Sequence, residues 1–143
     1  MKYVEYAEGI LKNNANRITK PRLLILEAMS NAKVPQNAYD IATTICENGE
    51  KIDVTTVYRF LEICREIGLV HFVQQSQGYM PCEDFVCEQQ KHCHHQFVCK
   101  SCETVSEIHF DDVSFLKSLQ KQFKGFFIEN HSLELSGLCS ACR

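Results

Sequence analysis

Two Cys-x-x-Cys pairs, Cys99 with Cys102 and Cys139 with Cys142, stand 36 residues apart in a chain of 143. Four thiolates in this pattern match the tetrahedral set that zinc takes in closed structural sites, so the fold has to bring both pairs together. The chain carries nine cysteines in all, and an odd number excludes a fully paired intramolecular disulfide framework. The N-terminal stretch MKYVEYAEGILKNN lacks the continuous apolar core and small-residue cleavage site of a secretory signal. A reducing, cytoplasmic setting is therefore expected, in which thiols persist as ligands or reactive groups. A redox-active dithiol is the alternative use of one pair, but it gives no reason for the second. Zinc coupled to folding supplies about 10–16 kcal/mol of apparent binding free energy. A closed four-sulfur site is structural and neither senses nor catalyses.

A chain of this length buries roughly 68–70% of its unfolded surface and needs no disulfide to fold. Hydrophobic residues make up 45% and charged residues 23%, which argues against a mostly disordered chain. No apolar run approaches the roughly 18 residues of a spanning helix, so no membrane partner is expected. The net charge of −3 gives no global signature of a nucleic-acid binder. Residues 1–78 balance nine Lys/Arg against nine Asp/Glu, so the acidic excess falls in residues 79–143, which also hold seven of the cysteines.

The first half reads as short helices. Val4, Ala7, Ile10 and Leu11 share one face of a helix over residues 1–13. Thr19 can cap a second helix running to about Asn31, with Pro21 tolerated in its first turn. A third spans about Asn37 to Asn48 and stops at Gly49. Asp53 caps a fourth, Val54 to Ile67, which stops at Gly68. Its buried stripe is Val57, Phe60, Leu61, Cys64 and Ile67, while Thr55, Tyr58, Arg59, Glu62 and Glu66 face away. Strands at 69–74 and 79–82 follow, joined by a polar turn. This order is that of a winged helix-turn-helix. Cys46 and Cys64 fall on apolar helix faces, where core packing is expected.

In the second half, residues 96–99 and 105–110 read as strands flanking the first cysteine pair. Asp111 or Asp112 caps a helix to about Lys124, and residues 126–135 read as a further strand. The fold class is α+β, with a winged helix-turn-helix over 1–78 and a small α/β domain over 79–143 whose thin apolar core a structural zinc would reinforce.

A second ligand cluster holds Cys82, Cys87, His92, Cys93, His94 and His95, with His71, Glu107, His109 and His131 elsewhere. Imidazole, thiolate and carboxylate together suit zinc, whereas imidazole and carboxylate alone suit iron or manganese. A zinc hydrolase is a second use of such a site; it needs an open coordination position and a general base, for which Glu107 is the one carboxylate placed to serve. Tyr58 and Arg59 lie either on a solvated helix face or on a recognition helix. In the second case Arg59 donates two hydrogen bonds to guanine, while Arg17, Lys20 and Arg22 position phosphates.

These pieces in this order resemble the ferric uptake regulator family of bacterial metal-dependent repressors over nearly the whole chain. The carriers are Arg17-Ile-Thr-Lys-Pro-Arg22, Ala38-Tyr-Asp-Ile41, Val54-Thr-Thr-Val-Tyr-Arg59, Gly68-Leu-Val-His71, His92-Cys-His-His-Gln-Phe-Val-Cys99, His131-Ser-Leu-Glu134 and Gly137-Leu-Cys-Ser-Ala-Cys142. The resemblance implies a homodimer that is not an enzyme. It further implies an N-terminal winged helix, a C-terminal dimerisation domain and a regulatory metal at the hinge that selects the arrangement able to grip double-stranded operator DNA. By the same resemblance Tyr39 and Arg59 read bases, with Thr55, Thr56 and Tyr58 near the backbone.

Two departures bear on the metal. Iron- and peroxide-sensing members usually carry a histidine ahead of the third helix, where this sequence has Pro35-Gln36-Asn37. The run Tyr79-Met-Pro-Cys82 instead resembles the strand by which zinc uptake regulators deliver a cysteine. The implied regulatory ligands are His71, Cys82, His92 and Glu107, with His94 an alternate to His92. His131, with His94 or His95, resembles part of an additional family site, although no acidic partner is evident. The resulting expectation is a zinc-dependent repressor of zinc uptake genes with two Zn²⁺ per chain, one structural and one regulatory, and an optional third. An iron- or peroxide-responsive regulator is the alternative.

Overall fold

The computed structural model describes residues 2–82, 95–108, 112–129 and 131–143. It divides into two compact units, Met1–Gln90 and Lys91–Arg143. Cys87, His92, Cys93, His94 and His109 lie outside the described residues.

The first unit is built from helices α1 (Lys2–Asn13), α2 (Lys20–Ser30), α3 (Ala38–Glu47) and α4 (Val54–Glu66), followed by the antiparallel strands β1 (Val70–Val73) and β2 (Gly78–Pro81). Leu11, Ile25, Leu26, Met29, Ile41, Val57, Leu61, Cys64 and Leu69 are fully buried and form one continuous core. Each such side chain contributes about 1.5–3 kcal/mol through burial. Helix starts follow local chemistry. The Asn37 side chain accepts from the Asp40 amide while the Asp40 carboxylate accepts from the Asn37 amide, a reciprocal capping box for α3. Asp53 caps α4 by accepting from the Thr56 amide at 3.3 Å. Thr19 occupies the cap position of α2 but makes no side-chain cap bond.

Gly68, at φ +79°, ends α4 in the left-handed region and turns the chain into β1. The expected division after residue 78 falls inside β2, whose register with β1, from Val70 opposite Pro81 to Val73 opposite Gly78, keeps these residues in the helical unit. A third segment joins the hairpin edge, because Gln36 and Tyr79 exchange both backbone hydrogen bonds, at 2.9 and 2.8 Å. Gly78 permits that approach, since a β-carbon there would stand 3.0 Å from the Pro35 side chain. Cys64 is buried as its helical position requires. Cys46 is exposed, because the buried positions of α3 are Ala38, Ile41, Ala42 and Ile45, and the next residue turns out of that stripe.

The second unit holds β3 (His95–Cys99), β4 (Val105–Ile108), α5 (Val113–Gln122) and β5 (Glu134–Gly137) in a sheet ordered β4-β3-β5. β3 pairs antiparallel with β4 and parallel with β5. The last strand is shorter than residues 126–135 suggested. Pairing runs from Gln96 opposite Glu134 to Cys99 opposite Gly137, and the stretch after α5 is fastened to the helix instead. Gln120 donates to the Phe126 carbonyl and accepts from the Ile128 amide. No residue of α5 is buried. Among the described residues no helix is long and apolar enough to cross a membrane.

Candidate metal centres

β3 and β5 run parallel and end together, so Cys99 at the end of β3 lies opposite Gly137, two residues ahead of Cys139. The Lys100 amide donates to the Gly137 carbonyl at 2.8 Å and locks the two knuckles side by side. All four sulfurs of Cys99, Cys102, Cys139 and Cys142 lie within 4.8 Å of one another. Cys102 and Cys139 are 3.7 Å apart. A tetrahedron with zinc–sulfur bonds of 2.3 Å has an edge of about 3.8 Å, so the donor set fits zinc in geometry as well as in chemistry.

The surroundings favour the thiolate at Cys99 and Cys102, whereas Cys142, despite a Ser101 hydrogen bond that lowers it, is pushed up to about 11 by the neighbouring cysteines. Amide groups of Cys102, Cys139 and Ser101 aimed at the Cys99 sulfur hold its thiol down to about 6. The Cys139 amide is 3.3 Å from that sulfur. Cys102 is lowered too, first by the Thr104 hydroxyl 3.1 Å away and then by the Thr104 backbone. The tight turn between the pair and β4 needs a left-handed residue, and Glu103 adopts φ 61° to make it. Cys99 is buried and Cys102 exposed, so the centre sits at the edge of its unit.

A second group lies in the helical unit. His71 on β1 and Cys82 just past β2 are both buried, and a ring nitrogen of one lies within 4.8 Å of the sulfur of the other. The hairpin register produces this, since His71 opposes Met80 and both ligands approach the same end of the ladder. The Leu69 carbonyl accepts from the Cys82 amide at 3.0 Å and from the Tyr3 hydroxyl at 2.9 Å, so α1 helps fix the cysteine backbone. Glu107 is half-buried on β4, opposite Gln96, in the second unit. His92 and His94 lie outside the described residues.

The third group was only partly legible. His95 on β3 and His131 ahead of β5 come together, with ring centroids 5.1 Å apart. Asp112 supplies the acidic partner that the sequence did not reveal. Its Oδ2 lies 3.3 Å from His95 Nε2 and 2.8 Å from His131 Nε2. The His95 hydrogen bond holds the carboxyl below the usual range against partial desolvation, and His131 adds to the effect. Asp112 stands at the cap position of α5 yet makes no side-chain cap bond, because both histidines engage the carboxylate. All three ligand atoms fall within 4.8 Å, an arrangement able to hold a cation. A spare carboxylate directly before a helix was the available signal.

On the helical unit, Tyr39 at the start of α3 and Tyr58 on α4 are exposed at 63% and 43%, unusual for aromatic side chains. Their rings meet edge to face at 6.2 Å. Thr55, Thr56 and Arg59 are exposed on the same helix, and Arg17 is exposed ahead of α2. Arg22 is different. It is half-buried, donates to the Arg17 carbonyl at 2.7 Å and lies 5.1 Å over the Phe60 ring, which places it in the framework behind that face.

A model of the ferric uptake regulator family matches residues 13–136. The zinc uptake regulation protein of Escherichia coli (strain K12) is 32% identical over 136 residues, covering 95% of this chain and 78% of that one. A ferric uptake regulation protein of Neisseria meningitidis is 30% identical over 138 residues, covering 93% of this chain and 90% of its own. Among solved structures, a zinc uptake regulator complexed with zinc and DNA superposes with a TM-score of 0.85 at 30% identity, covering 98% of this chain and 92% of that one.

Proposed function

Because the chain belongs to the ferric uptake regulator family and is, at that level, a metal-responsive transcriptional regulator rather than an enzyme, we propose that it is a zinc-responsive repressor of zinc uptake genes, binding operator DNA as a metal-loaded homodimer in the bacterial cytoplasm. The observation that carries the zinc assignment is the buried pairing of Cys82 with His71 on the wing hairpin. A thiolate in the donor set favours zinc over iron or manganese. The regulatory ligands are His71, Cys82, His92 and Glu107, and Cys99, Cys102, Cys139 and Cys142 hold the structural ion. His95, Asp112 and His131 form an additional cation site.

A regulatory ion supplies a bond between donors of the two units that neither unit provides alone. His71 and Cys82 stand on a hairpin packed against α4, while Glu107 belongs to the sheet of the second unit, so shared coordination would favour one arrangement of the units over others. In that arrangement the exposed faces of α3 and α4 in two protomers meet successive turns of the duplex. Tyr39 and Arg59 read base edges, Thr55, Thr56 and Tyr58 approach the backbone at the start of α4, and Arg17 contacts phosphate from a loop that Arg22 steadies. The exposed Phe115, Phe123, Phe126, Phe127 and Leu135 of the second unit are the apolar surface from which the partner protomer's contact would be drawn.

Replacing Cys82 with Ala tests the reading. The variant is expected to remain dimeric with zinc retained at the four cysteines, but to lose zinc-dependent operator binding. Wild-type operator affinity in the variant, at free zinc where the parent protein is half saturated, would overturn the assignment. The iron reading has its own support, since a ferric uptake regulation protein is nearly as similar as the zinc one. Operator binding switched on by Fe²⁺ and not by zinc would establish it.

A further inference from the structure

Cys82 lies one residue past β2, and Tyr79, three residues before it, is where that strand meets the rest of its unit. The Tyr79 backbone exchanges both hydrogen bonds with Gln36, the residue before the Asn37 cap of α3. Its ring packs edge-on against Phe72, the neighbour of His71, at 5.2 Å. Its hydroxyl donates to Glu62 Oε1 of α4 at 2.6 Å. This is a charge-assisted bond at the short, strong end of its class. Glu62 stands one helical turn beyond Tyr58 and Arg59, and both Tyr58 and Arg65 act electrostatically on the Tyr79 hydroxyl. Tyr58 in turn touches Tyr39 of α3. Tyr79 thus fastens β2 to α4 directly and to the segment that leads into α3, the two helices that present the exposed aromatic pair.

We propose that Tyr79, acting through Glu62, is the positioning residue that couples occupancy at the His71–Cys82 hairpin to the DNA-reading face of α3 and α4. The proposal rests on the metal-dependent DNA-binding reading. A shift of β2 as Cys82 engages an ion carries the Tyr79 hydroxyl with it, and the carboxylate it holds is rooted in the helix that bears Arg59. Linkage makes the effect reciprocal: the factor by which zinc tightens DNA binding equals the factor by which DNA tightens zinc binding. Tyr79→Phe removes the hydroxyl and leaves the ring contacts with Phe72 in place.

The test measures that coupling factor from both sides. The probe is a labelled duplex selected by the zinc-loaded protein from a random pool, with free zinc buffered and zinc affinity also measured without DNA. Tyr79→Phe is expected to lower the coupling factor about tenfold, while the zinc affinity of the DNA-free protein stays within twofold of wild type. Glu62→Gln keeps an acceptor oxygen and should preserve most of the coupling. Glu62→Ala should lose as much as Tyr79→Phe, and the double variant no more than either alone. Because Glu62 is exposed, its variants keep the test open should Tyr79→Phe fold poorly. A merely structural role would lower thermal stability and the zinc and DNA affinities while leaving the coupling factor unchanged, and that result overturns the proposal. So does a wild-type coupling factor in Tyr79→Phe, or additive losses in the double variant. A wild-type protein whose duplex binding ignores zinc overturns the functional reading, and this proposal with it.

Discussion

The two units are stabilised by different means. The helical unit closes around its own apolar core, in which Leu11, Ile25, Leu61 and Leu69 are fully buried. The second unit has little of this. Its helix buries no residue, and Val98 and Cys99 are the only fully buried hydrophobic residues among its described positions. Phe126 and Phe127 stand 76% and 84% exposed. A core of that size does not offset the entropy of ordering some fifty residues, so coordination at the cysteines and association with a partner have to supply the difference. One unit therefore holds its shape on its own core, while the other depends on its structural ion and on a partner for its shape.

The sharpest way to break this contrast is to remove a sulfur. Cys139→Ser should remove most of the roughly 10–16 kcal/mol that a structural ion contributes. Amide dispersion in the NMR spectrum should collapse for residues 95–143 and persist for residues 2–82; collapse or survival of both sets would show that the units are not stabilised separately. The converse substitution is Leu61→Ala, expected to cost the helical unit about 2–5 kcal/mol in denaturant unfolding while the zinc held at the four cysteines is unchanged. Loss of zinc in that variant would tie the two units together.

Phe127→Asp probes the exposed face. If that face meets a second protomer, the substitution should weaken the dimer by about 2 kcal/mol in sedimentation equilibrium; an unchanged dimer would move the interface elsewhere. The smallest effect is expected at a helix start, where Asp53→Ala should cost about 1 kcal/mol of helical-unit stability, read from chemical unfolding. A loss several times larger would mean that Asp53 does more than cap α4.

What the sequence made legible follows the same contrast. In the helical unit, caps and periodicity act locally. Asp53, Asn37 and Gly68 mark boundaries that the structure keeps within a residue or two, and the buried stripe of α4 was readable at Val57, Phe60, Leu61 and Cys64. Where the helical unit misled, at Cys46, one residue of helical rotation separated core from solvent. In the second unit the organising contacts are long-range. Nothing near residue 134 shows that β5 pairs with residues 96–99, or that residues 126–128 are held by Gln120 instead. The four cysteines were legible because their spacing encodes one polyhedron. Asp112 was not, because its role depends on His95 and His131, which lie 17 residues before and 19 after it.

The most direct test of the account is a titration of the metal-stripped, folded dimer against the selected duplex at buffered free zinc, Fe²⁺ and Mn²⁺. The account predicts binding switched on by zinc alone, with a second zinc taken up per chain as it does so. Binding driven by Fe²⁺ or Mn²⁺ instead, with zinc confined to the four cysteines, would contradict it.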